Sequence, residues 1–167
     1  SQNLKMRSAK IGIDSPSDKD KILLDDLESH LKLIETDMTI FFRLLAKAKK
    51  IEDCLDAFYH PNQLKGEVLA TWEMWFDQYR SRLATENQLE KDRIVNMNNT
   101  NPKYILRNYM SQLAIEAAEN GDYDLINELY ELIQNPYDEQ PENEKWFAKR
   151  PEWAKNKVGC SMLSCSS

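Results

Sequence analysis

Three cysteines, two histidines, four scattered glycines and one long run of carboxylates are the residues on which chemistry would have to rest. The cysteines are Cys54, Cys160 and Cys165, and two of the three lie within eight residues of the C-terminus. An odd number in a chain of 167 residues is not a disulfide framework, and it points to a reducing compartment. Cys160 and Cys165 have a four-residue spacer but no second pair to complete a zinc site. His30 and His60 are far apart, and neither has a partner histidine at helical spacing. No metal site is expected. His30 reads as a surface residue and His60 as a helix-end residue.

A phosphate cradle needs closely spaced glycines so that backbone N–H groups can approach the anion. Gly12, Gly66, Gly121 and Gly159 stand singly, so no nucleotide-binding loop is expected. From Asn108 to Glu144 the chain holds ten acidic residues and no Lys or Arg. Such a run attracts a divalent cation or a basic partner, but more often it is a solvated face followed by an acidic loop. Arg107 and Asn108 read as mid-helix residues beside Tyr104, Ile105, Leu106 and Tyr109, which predicts a structural anchor needing polar partners rather than a ligand site.

The elements that must position these residues read as helical. Leu23, Leu27, Leu31 and Ile34 share one helix face, with Ser17 or Asp18 as its cap. Met38, Phe41, Phe42 and Leu45 form a second stripe. Asp37 either opens a new helix there or is a polar position in a continuous one. Ile51, Leu55, Phe58 and Tyr59 form a third, stopped by His60-Pro61-Asn62. The strongest helix spans about Gly66 to Ala84 and carries Trp72, Trp75, Phe76 and Tyr79. Glu86 to Met97 reads as a weaker helix with Leu89, Ile94 and Met97 inward, and Asn96 to Asn101 as a loop.

Asn101-Pro102 is a helix start signal, a side-chain cap followed by Pro. From there Leu106, Met110, Leu113 and Ala117 line one face, and Asn120-Gly121 ends it. Asp122 or Asp124 starts a last helix with Leu125, Ile126, Leu129, Leu132 and Ile133, completing a helical hairpin. The expected core is Trp72, Trp75 or Phe76, Tyr79, Phe41, Phe42, Leu106, Leu113 and Leu129. The fold class is all-α: an irregular multi-helix domain with a C-terminal helical hairpin and an aromatic, Cys-containing tail. Residues 1–15 read as an N-terminal segment, 16–135 as the helical domain, and 136–167 as an acidic and aromatic tail.

Composition narrows the function classes. Net charge is −6, so a broad nucleic-acid face is not expected. No apolar run approaches the roughly 18 residues of a membrane span, and Leu4 to Ile13 lacks a signal-peptide core. Taken residue by residue, the chain is a helical domain with no visible active site.

Several motifs carry a resemblance. Asn101-Pro-Lys-Tyr-Ile-Leu-Arg-Asn-Tyr-Met110, Ala114-Ile-Glu-Ala-Ala-Glu-Asn-Gly-Asp122, Asn135-Pro-Tyr137, Pro151-Glu-Trp-Ala154 and the terminal Cys165-Ser-Ser resemble the selenoprotein O family. Met6-Arg7 with Lys10-Ile-Gly-Ile13 resembles the family's segment just after its kinase-like core, and Asp37 to Arg43 is a looser match. The resemblance implies a parent enzyme that binds ATP with Mg or Mn and transfers AMP to protein hydroxyl groups. The catalytic Lys–Glu pair and metal-binding Asn and Asp of that family have no counterpart here.

The chain therefore resembles the C-terminal helical part alone, inactive by itself, holding no cofactor and docked on the kinase-like core of the same polypeptide. That docking implies an unusually large apolar patch in the isolated chain. The parent's partners would be its protein substrates, and its compartment the bacterial cytoplasm, or the mitochondrion in a eukaryote. Family members end with selenocysteine or cysteine third from the end, here Cys165, which implies a redox role through pairing with another cysteine. Cys160 is a plausible second thiol, while the family implies a cysteine in the kinase-like core. The competing reading is an independent helical module whose acidic hairpin and aromatic tail bind a basic partner.

Overall fold

The structure is a computed structural model that describes residues 1–156. It divides into two compact units, one spanning Ser1–Asn101 and a second beginning at Pro102. Helices dominate both. Among the described residues no strand forms, and a single antiparallel bridge joins Thr36 to Phe58.

The first unit opens with α1 (Gln2–Lys10), capped by the Ser1 hydroxyl, which accepts from the N–H of Leu4. Gly12, at φ 81°, turns the chain so that Ile11 and Ile13 are both buried. Helix α2 (Asp20–His30) buries Leu23, Leu24 and Leu27, with Leu31 and Ile34 inward just beyond it. Neither Ser17 nor Asp18 caps it by side chain; instead the Asp20 carboxylate takes the Ser17 N–H at 2.7 Å. Asp37 does open a separate helix, α3 (Met38–Leu45), by accepting from Ile40 N–H at 3.0 Å.

The third apolar stripe belongs to a 3-10 helix, Ile51–Ala57. Its buried residues are Ile51, Cys54 and Ala57, three apart, as a three-residue turn demands. Leu55 consequently faces outward.

Helix α4 (Gly66–Leu83) is the centre of this unit. The fully buried Trp72 has the rings of His30, Phe41, Phe58, Trp75 and Phe76 at centroid distances of 5.5 to 6.5 Å. Helix α5 runs Glu90–Thr100, later than its sequence suggests, and includes most of the Asn-rich stretch expected to be a loop. It buries Arg93 and Met97, while Leu89 is 62 % exposed. Arg93 can take the inward position because its guanidinium donates to the carbonyl of Ala46 at 3.2 Å.

Asn101-Pro102, where the second unit begins, starts no helix. The N–H groups of Lys103 and Tyr104 both go to the Pro136 carbonyl, which holds the chain extended, and α6 begins at Asn108 (Asn108–Glu119). Arg107 is therefore not in mid-helix; it precedes the first turn and is buried. Leu106, expected in the core, is 41 % exposed for the same reason, and Leu113 is half-buried, as Phe42 is in the first unit.

Gly121, at φ 83°, closes α6 and turns the chain into α7 (Asp124–Gln134), and the two helices pack as a hairpin. The Asp122 carboxylate receives the Asp124 N–H at 3.0 Å. The core here is Tyr104, Tyr109, Met110, Ala114, Leu129, Leu132, Trp146 and Ala154. Gln140 donates to the carbonyls of Leu132 and Asn135, satisfying acceptors left open at the end of α7.

Candidate functional site

Cys160 and Cys165, the redox candidates, lie outside the described residues. Cys54 is fully buried, and burial, helped by the charge of Asp53, pushes its thiol up well beyond the usual range. It stays protonated at neutral pH and acts as a small core residue. His30 is less exposed than its sequence suggests: its ring packs against Trp72 and its Nδ1 contacts the Asp26 carbonyl. His60 Nε2 is 3.6 Å from a carboxylate oxygen of Glu35.

Charged networks missed in the sequence organise both units. In the first, Arg82 bridges Asp20 (2.6 Å), Glu86 (2.8 Å) and the Ser15 carbonyl (3.0 Å). Glu86 in turn receives the N–H groups of Asp14 and Ser15. The segment between α1 and α2 is thus pinned to the end of α4. Burial alone would raise the Asp20 carboxyl; hydrogen bonds from Arg82 and Ser17 outweigh it and hold it below the usual range. The same Asp20 contact raises the Arg82 guanidinium.

In the second unit the buried Lys103 meets Glu139 at 2.5 Å and Glu144 at 2.9 Å, with its ammonium over the Phe147 ring. Desolvation would lower this lysine, but its two carboxylate hydrogen bonds prevail and raise it. Lys145 pairs with Glu128 at 2.8 Å, so part of the acidic run is neutralised by lysines outside it. The signal available in the sequence was Lys103 itself, placed just before a stretch without bases.

An open cleft of 560 Å³ lies beside the end of α1 and along α5. Its wall includes Lys5, Asp14, Gln88, Asn96 and Thr100, and the Gln88 amide donates to the Gly12 carbonyl at 2.7 Å. These groups suit hydrogen bonding to a polar ligand, but they include no nucleophile paired with a base. Among the described residues no group of three or more His, Cys, Asp or Glu side chains is placed to hold a metal ion. Among those residues, too, no helix is long and apolar enough to cross a membrane.

Comparison with known proteins supplies what the geometry leaves open. The sequence profile of the family described as protein adenylyltransferase SelO matches residues 2–134. The chain belongs to the SelO family. Among its relatives, the protein nucleotidyltransferase YdiU of Flavobacterium johnsoniae is 54 % identical over 165 residues, which is 95 % of this chain and 32 % of that protein. The corresponding protein of Aromatoleum aromaticum is 44 % identical over 99 % of the chain, and that of Azoarcus sp. is 40 % identical over 97 %. Each is likewise covered to 32 %, so this SelO-family chain spans about a third of the length of the curated relatives it matches.

Proposed function

We propose that this chain is the helical accessory part of a protein adenylyltransferase. In that reaction an acceptor hydroxyl oxygen bonds to the α-phosphorus of ATP, the hydroxyl proton is lost and pyrophosphate leaves. We assign the nucleotide, the Mg or Mn ions and the catalytic residues to a kinase-like core in the rest of the polypeptide, on which the helical units dock. The observation that carries this reading is the SelO-family match across residues 2–134 in a chain equivalent to a third of its relatives. The proposed setting is a bacterial cytoplasm.

Cys165 is proposed as a redox switch. Its thiol pairs with a second cysteine, in the core or at Cys160, losing two electrons and two protons to a cellular disulfide oxidant. The test is transfer of label from α-labelled ATP to protein acceptors, comparing the full-length protein with this chain. Label transfer by the full-length protein alone is expected; transfer by this chain alone would refute the assignment. Peptide mapping without reduction should place Cys165 in a disulfide. If Cys165→Ser leaves both the disulfide map and the response to reductant unchanged, the redox role is wrong.

A further inference from the structure

Helix α7 has a second apolar face that its own unit leaves uncovered. Leu129 and Leu132 point into the core, whereas Ile126 (40 % exposed), at the edge of that core face, and Tyr130 (64 %) stand four residues apart, and Tyr123 (60 %) is the cap residue just before the helix. Asp124 and Glu131, seven residues apart and both exposed, share the adjoining polar face of α7 with Asn127. No Lys or Arg occurs from Asn108 to Glu144. Two bases from outside the run, Lys103 and Lys145, are engaged with Glu139, Glu144 and Glu128.

Exposed aromatics on one side of a helix whose remaining exposed face is acidic match a partner helix with an apolar face and Lys or Arg next to it. Tyrosine suits such a surface because it gives large contact area with a polar tip. We infer that the outer face of α7 is a docking surface for a basic amphipathic helix of a partner protein. Tyr123, Ile126 and Tyr130 form the apolar contact, and Asp124 and Glu131 set orientation and salt dependence. In the whole polypeptide this requires that the core on which the units dock leave α7 clear.

The test uses the 167-residue chain and fluorescent peptides of about 14 residues, four helical turns being enough to cover α7. One peptide carries Leu on a single face flanked by Lys. A second scrambles the same residues, and a third replaces Lys with Glu. Anisotropy should show the first binding at least about tenfold more tightly than the other two. Tyr123→Ser with Tyr130→Ser should weaken it by about tenfold or more, at unchanged thermal melting. Asp124→Asn with Glu131→Gln should flatten the salt dependence while leaving the apolar contact. Equal binding of the first and scrambled peptides, or indifference to both double substitutions, would overturn the assignment. So would a stable dimer in sedimentation that Tyr130→Ser dissolves, because a second copy would then be the occupant, or failure of the full-length protein to bind the first peptide, because the rest of the polypeptide would then cover α7.

Discussion

The indole N–H of Trp75 donates to the backbone carbonyl of Leu23 at 3.0 Å, fastening α4 to α2 through the interior of the first unit. Trp75 also stacks on Tyr79, with ring centroids 4.8 Å apart. Trp75→Phe keeps an aromatic ring but loses the hydrogen bond and some volume, and should cost about 1–3 kcal/mol. Trp72→Ala, which removes the ring at the centre of the cluster, should cost about 3–5 kcal/mol. Urea denaturation of the two variants checks the order. Equal losses would mean that the polar tie contributes more than the packing.

Acid should loosen the Asp20–Arg82 contact. Asp20 is held below its unfolded value, so its stabilisation is fully present above about pH 4 and fades as pH falls through the lower folded value. Asp20→Asn should lower stability at pH 7 by about 1–3 kcal/mol. The gap between variant and wild type should then shrink toward pH 2. Melting curves at several pH values measure this, and a gap that stays constant with pH would contradict it.

Gly12 and Gly121 have nearly the same backbone angle, φ 81° and 83°, but different surroundings. A Cβ at Gly12 would meet Arg93 Cγ and Met97 Sδ at 2.8 Å, whereas one at Gly121 would meet nothing within 4 Å. Gly121→Ala should therefore cost only the left-handed strain, about 1–2 kcal/mol. Gly12→Ala adds overpacking and should cost about 1–3 kcal/mol more. Comparing denaturation midpoints decides it, and similar costs would show that Arg93 and Met97 yield freely.

Lys103 is buried between two glutamates and the Phe147 ring. Lys103→Met replaces the charge with an apolar chain of similar length and should change stability by less than about 1.5 kcal/mol. Replacing Glu139 and Glu144 together by Ala leaves the ammonium poorly paired and should cost about 3 kcal/mol or more. Thermal melting of both variants checks the asymmetry. A reversed order would mean that the lysine, rather than its pairing, is what the site requires.

Apolar spacing made the all-α class, the strong helix around Trp72 and the hairpin at Gly121 legible in the sequence. The errors came where local signals met distant partners. Asn101 has a capping side chain, but its amide is engaged with the Lys10 carbonyl, and Pro136 takes the N–H groups beyond it. Arg93 displaced Leu89 from the interior because a carbonyl of another element awaited it. The stripe at Ile51 has a period of three, which differs from an α-helical one by too little to separate over seven residues. The family was visible in its motifs and agrees with the match over residues 2–134, although no local rule would have drawn attention to Arg82.

The hydrogen bond from Asn101 to the Lys10 carbonyl, 2.9 Å long, joins positions 91 residues apart. Arg43 strengthens the closure by donating to the carbonyls of Asn98 and Asn101. The two ends of the first unit are thus sewn together, and the entropy of that closure is lost before the contact can form. During synthesis α1 leaves the ribosome before the rest of its unit but has to wait for that unit's last residue. A truncation ending before Arg93 should therefore yield not a smaller domain but an aggregation-prone intermediate.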